Sequence, residues 1–154
     1  MNSTMEAKEI IKEIVGKHEV KHVVFVGCGA SKADLYPAKY FLDQNAKQLR
    51  ISHYTANEFN YATPTSIDET TVVISASLGG ATPETVEANA IAKDKGATVI
   101  SLTRIIDAPL TKDADYVIYH GFAENYATKL EKTGYCLLSV SYTHLRAHET
   151  GAYL

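Results

Sequence analysis

An α/β fold is the class this sequence predicts, on two observations. Five short apolar runs, residues 22–27, 51–54, 71–75, 97–102 and 116–119, recur along the chain, and helical stretches lie between most of them. Continuous apolar runs suit strands buried on both faces of a parallel sheet. Strands alternating with helices place that sheet between two helical layers. Five strands in about 140 residues predict a flavodoxin-like α/β/α sandwich with a five-stranded parallel sheet.

The connecting segments carry helix signals of their own. Ser3 with Glu6 three residues on is a capping-box pattern. Ala7, Ile10, Ile11, Ile14 and Val15 follow at helical spacing, and Gly16 is placed to end that helix. A second helix is expected over residues 31–43 with Ser31 as its cap, and Pro37 should kink it or delay its start. The third is the clearest: Thr82 as cap, Pro83 at the first helical position, Glu84 at the positive end, and Gly96 to close. A last helix is expected over residues 123–138.

The chain has 154 residues, is 45% hydrophobic and 21% charged, and carries a formal net charge of −3. That balance gives no reason to expect nucleic acid or an anionic membrane as partner. No apolar run approaches the roughly 18 residues of a membrane span. Cys28 and Cys136 lie far apart and read as reduced thiols, and no metal-ligand spacing is visible. Residues 140–150 resemble the one-frame translation of a transposase adapter used in sequencing-library preparation. Residues 139–154 are therefore set aside as a non-native tail, with His144 and His148 not treated as ligands. Residues 1–138 are read as one domain, whose natural frame is expected to break off near Leu138.

Two loops at strand ends concentrate the chemistry. Gly27-Cys28-Gly29-Ala30-Ser31 follows the first strand, and Ser75-Ala76-Ser77-Leu78-Gly79-Gly80-Ala81-Thr82 spans the end of the third. Each runs into a helix N-terminus, where free amides and the helix dipole favour an anion. Hydroxyls of Ser31, Ser77 and Thr82 can donate to phosphate oxygens. Neither loop contains Arg or Lys; only Lys32 follows the first. Hydroxyls and amides together suit a phosphomonoester held without a metal. The expected ligands are Gly29, Ser31, Ser77, Gly79, Gly80 and Thr82. A dinucleotide fingerprint fails, because Lys32 stands where the third glycine belongs. Cys28 reads as a small packed residue, since no base can be named for it as a nucleophile.

Ser77-x-Gly79-Gly80-x-Thr82-Pro83-Glu84-Thr85 resembles the Ser-x-Ser-Gly-x-Thr-x-Glu-Thr loop of SIS (sugar isomerase) domains. The Gly27–Ser31 segment resembles their first phosphate loop, and Ala56-Asn57-Glu58-Phe59 their Ala-x-Glu-Phe segment after the second strand. Phe25 to Gly29, Leu35 to Tyr40, Tyr54 to Phe59 and Thr82 to Thr85 together resemble the N-terminal half of fructosamine (fructoselysine-type) 6-phosphate deglycases. Two positions depart from the pattern: the second loop serine is Gly79, and the Asn or Glu before the threonine is Ala81. The resemblance implies a phosphorylated sugar as ligand, no cofactor, a cytoplasmic setting and a homo-oligomeric full-length protein. It implies proton shuttling at a ring-opened sugar followed by release of the amine by hydrolysis. The family's catalytic Glu and His lie in a second SIS domain, so no catalytic residue is expected in this chain and no activity from it alone. The alternatives are a non-catalytic effector-binding module, and a related isomerase or aldose–ketose aminotransferase. Only about twenty residues precede the first strand, with no basic stretch, which argues against a regulator with a DNA-binding domain ahead of it.

Overall fold

The computed structural model describes residues 3–119. In chain order the elements are α1 (Ser3–Lys17), β1 (His22–Gly27), α2 (Gly29–Asn45), β2 (Arg50–Thr55), α3 (Ala56–Tyr61), β3 (Thr71–Ala76), α4 (Pro83–Asp94), β4 (Thr98–Thr103), a 3-10 turn (Pro109–Thr111) and β5 (Tyr116–Tyr119). The helix expected over residues 123–138 and the tail at 139–154 lie outside the described residues.

The five apolar runs form one sheet in the order β2-β1-β3-β4-β5, every neighbouring pair parallel. This is the doubly wound order expected of the flavodoxin-like class. Alternation along each strand divides the core in two. Val23, Phe25, Val72, Ile74, Ile100 and Leu102 face Ile11 and Ile14 of α1 and Leu35 and Leu42 of α2. Val24, Val26, Val73 and Val99 face Phe59 of α3 and Ala88 and Ala92 of α4. Strands β1 and β3 are buried along their whole length, which is why they read as unbroken apolar runs. The edge strand β2 is only partly covered and accommodates Arg50, Ser52 and His53.

Local signals and observed boundaries differ in instructive ways. Helix α2 starts at Gly29, two residues before the expected cap, with Cys28 at the N-cap position and no side chain capping it. Ser31 is therefore inside the first turn, its N–H bonded to the Cys28 carbonyl at 3.1 Å. Pro37 neither ends the helix nor delays it. The proline removes one helical hydrogen bond, but Leu35, Ala38 and Leu42 bury one face against the sheet while Pro37 stays exposed. Helix α1 runs one residue past Gly16. Helix α4 ends as expected: Gly96 adopts φ +85°, its N–H reaches the Lys93 carbonyl at 2.9 Å, and Ala97 N–H reaches the Ala92 carbonyl at 3.1 Å. That pair of bonds is a Schellman closure. Helix α3 was not expected, although its signal is present. The Thr55 hydroxyl accepts from Glu58 N–H at 3.1 Å, and the Glu58 carboxylate accepts from Thr55 N–H at 2.7 Å.

His22 begins β1 and is buried, with Nε2 2.8 Å from the Ser52 hydroxyl. Burial pushes its imidazole below the ordinary histidine range, and nearby Arg50 adds to the shift. Burial lowers His53 as well. A histidine whose folded pKa is depressed contributes stability that is complete above the unfolded value of about 6.5 and declines as pH falls through that value toward the folded pKa. The urea midpoint should accordingly drop as pH falls from about 7 to about 5, before most carboxylates titrate. The double variant His22→Gln, His53→Gln should flatten that stretch of the profile. An unchanged slope in the double variant would remove these two histidines as its cause.

Candidate functional site

Strand pairing brings the two glycine-rich loops together. Gly27 and Ala76, the last residues of β1 and β3, are register partners in adjacent parallel strands. Both loops therefore leave the same edge of the sheet, the carboxyl edge where open α/β sheets bind ligands. Gly27 is required here by close approach. A Cβ at that position would lie 3.0 Å from Lys32 N, 3.2 Å from the Ser31 carbonyl carbon and 3.3 Å from the Ala76 carbonyl oxygen. Its missing side chain lets the first turn of α2, and with it Ser31, settle over the ends of both strands. Gly29 opens α2 with φ +53° and is exposed. The Thr85 hydroxyl points to Cys28 Sγ at 3.8 Å, tying the first turn of α4 to the loop after β1. Cys28 is half-buried, as the reading of a packed small residue expects.

The loop after β3 is held from within and from the neighbouring strand. Gly80 N–H donates to the Ser77 carbonyl at 3.0 Å, closing a turn over Leu78 and Gly79. Ser77 N–H donates to the Leu102 carbonyl and Arg104 N–H to the Leu78 carbonyl, both at 3.1 Å. Leu110 N–H, from the 3-10 turn, donates to the Gly80 carbonyl at 2.9 Å. Behind that turn lies a buried polar cluster: Asn89 Nδ2 donates to the Leu110 carbonyl at 2.9 Å and to Ser101 Oγ at 2.8 Å, and Ser101 Oγ lies 3.0 Å from Ser75 Oγ. Asn89, Ser101 and Ser75 are each almost wholly buried. Nothing in the loop motif signalled this support; a lone asparagine on the inner face of α4 was the available hint.

The six expected ligand residues fare differently. Ser77 Oγ and Thr82 Oγ1 lie 2.9 Å apart and bond to each other. Two hydroxyls sharing one bond leave one O–H proton for an outside acceptor. Thr82 occupies the N-cap position of α4, but its side chain makes no cap bond, because it is turned to Ser77. Gly80 contributes structure: its N–H is committed to Ser77 and its φ is +65°. The N–H groups of Gly79 and Ala81 make no hydrogen bond among the described residues, and Gly79 is exposed with open space around it. Ser31 Oγ and Gly29 N–H likewise have no partner among the described residues. Around the loop after β1, Lys32 Nζ stands 3.9 Å from the Glu58 carboxylate. Thr55 N–H and hydroxyl hold that carboxylate below its ordinary pKa range. Among the described residues no three His, Cys, Asp or Glu side chains converge to hold a metal ion.

Comparison with known proteins places the family and the fold. The SIS domain family model matches residues 18–126. Over 119 residues the chain is 39% identical to the fructosamine deglycase FrlB of Bacillus subtilis, covering 77% of this chain and 36% of that protein. It is 32% identical over 111 residues to a glutamine–fructose-6-phosphate aminotransferase (isomerizing) of Clostridium tetani, covering 72% of this chain and 18% of that protein. A crystal structure of a Salmonella typhimurium protein described as a phosphosugar isomerase superposes with a TM-score of 0.86 at 38% identity, over 94% of this chain and 44% of that one. The chain thus spans less than half the length of each of these three proteins.

The two adjacent glycines should respond very differently to a methyl group. At Gly80 a Cβ would fall 2.3 Å from Ala108 Cβ and 2.8 Å from Thr103 Oγ1, at a positive φ. Gly80→Ala should cost about 2 kcal/mol or more in urea unfolding. Gly79→Ala, with nothing within 4 Å, should stay within about 0.5 kcal/mol of the parent. Equal stabilities for the two variants would contradict the described turn.

Proposed function

The chain belongs to the SIS domain family, and from that premise we propose that it binds the phosphate of a phosphorylated sugar between the loops after β1 and β3. The observation that carries the proposal is the set of unused donors on one sheet edge: one hydroxyl proton of the Ser77–Thr82 pair beside the Gly79 and Ala81 amides. The start of α2, with Gly29 and Ser31, adds amides and a hydroxyl at the neighbouring strand end. Hydroxyls and amides aimed at an anion need no metal. Gly79 removes a hydroxyl that the family pattern has but keeps its backbone N–H, so the cradle relies more on main chain here.

The substrate class we favour is a phosphorylated Amadori sugar, and the reaction a deglycation, because the deglycase is the relative with the higher identity of the two compared. In this reading the described residues bind and orient the phosphate. The groups that move protons at the ring-opened sugar belong to other parts of the whole protein. The whole protein would work in the cytoplasm as a homo-oligomer. If it binds sugar phosphates without turning them over, the effector-module reading replaces the enzymatic one.

Hydrogen bonds to a charged phosphate are worth roughly 1.5–3 kcal/mol each. In calorimetric titration with fructose 6-phosphate, Thr82→Val should weaken binding about tenfold or more. It should also cost about 1 kcal/mol of stability, through loss of the bond to Ser77 rather than of a helix cap. Gly79→Ser has room for its side chain and should tighten binding. Absence of saturable binding by any sugar phosphate would remove the cradle reading; unchanged affinity in Thr82→Val would remove the hydroxyl pair from it.

A further inference from the structure

We propose that Arg104 is the cationic ligand of the bound phosphate, a role that rests on the phosphate-binding reading of the same site. A phosphomonoester carries about −1.5 to −2 charges near neutral pH, and the two loops that form the cradle contain no Arg or Lys. The tertiary structure supplies a cation from a third segment. Beyond the last β3–β4 pair two further backbone bonds join the segments, Ser77 N–H to the Leu102 carbonyl and Arg104 N–H to the Leu78 carbonyl, both 3.1 Å. The Leu78 carbonyl carbon is bonded directly to the nitrogen of Gly79. Arg104 is therefore anchored one peptide unit from the unused Gly79 amide.

That anchor is firm on both sides. The Thr103 hydroxyl reaches the same Leu78 carbonyl at 3.4 Å, and Ile105 N–H reaches the Thr103 hydroxyl at 3.3 Å. Arg104 itself is exposed and forms no ion pair among the described residues. Lys32, the nearby cation on α2, already stands beside Glu58. Glu84 sits in the first turn of α4, so the cradle has an acidic neighbour whose field an added cation would offset. A guanidinium can also meet two phosphate oxygens at once, a geometry that an ammonium lacks.

The test is calorimetric titration of the full chain, as parent, Arg104→Gln and Arg104→Lys. Two ligands separate the sources of negative charge: fructose 6-phosphate, and an N-fructosyl amino acid 6-phosphate that adds a carboxylate. The expected result is about a tenfold or greater loss of affinity for both ligands in Arg104→Gln, with a smaller loss in Arg104→Lys. Melting temperatures should match the parent, since the side chain is exposed. If Arg104→Gln binds fructose 6-phosphate as tightly as the parent, the proposal fails while the cradle stands. If only the carboxylate-bearing ligand is weakened, Arg104 reads the amino acid and not the phosphate, and the proposal again fails. If the parent binds neither ligand, the cradle reading falls and this inference with it.

Discussion

The parallel register of β1 against β3 is the constraint on which the site depends. Gly27 opposite Ala76 makes the two strands end together, so the segments after them begin side by side. The absence of a side chain at Gly27 then lets α2 start at once, its first turn seated over both strand ends. A larger residue would push Lys32 N and the Ser31 backbone away and separate the two groups of donors. Burial holds the register in place: both strands are covered on both faces, and a one-residue slip would exchange Val23 and Phe25 with Val24 and Val26 between two differently shaped layers.

A second tier of contacts shapes the loop after β3. The 3-10 turn meets Gly80 through a carbonyl bond and through Ala108, which leaves no room for a side chain. The turn is held in turn by Asn89, which spends both Nδ2 bonds on Leu110 and Ser101. The cluster is satisfied on its donor side only, since Asn89 Oδ1 is buried without a hydrogen-bond partner among the described residues, and the two Nδ2 bonds are what fix the turn. Rigid support from α4 and β4 thus leaves the Gly79 and Ala81 amides exposed on a fixed turn. Fixed donors bind an anion without the ordering cost that a loose loop would incur.

Much of this was legible beforehand because it is local. Strand runs, the Pro83 start of α4 and its Gly96 closure follow from burial periodicity, from the fixed φ of proline and from the conformational freedom of glycine. Where the structure departs from these local signals, the reasons are physical too. Ser31 looked like a cap, but the close approach permitted by Gly27 begins the helix at Gly29, and Ser31 becomes the third helical residue. Pro37 signals a kink or a late start, yet the helix starts eight residues before it, because the apolar face on either side of it outweighs one lost hydrogen bond. The six-residue α3 is too short to leave a periodic pattern, and the capping-box spacing of Thr55 and Glu58 is its one local signal.

Composition and local order were thus enough to establish the sheet, its class and which two loops carry donors. They could not decide what each donor does, because that is settled between segments distant in the chain. Ser77 bonds Thr82 instead of leaving it to cap α4. The Leu78 carbonyl meets Thr103, 25 residues away, and Cys28 meets Thr85, 57 residues away. Strand pairing makes these contacts, and each one consumes or orients a hydrogen-bonding group whose availability no reading of neighbours along the chain could establish. Arg104 is the clearest instance: in sequence it is a charged residue in a loop after β4, and only its backbone bond to the Leu78 carbonyl places it beside Gly79.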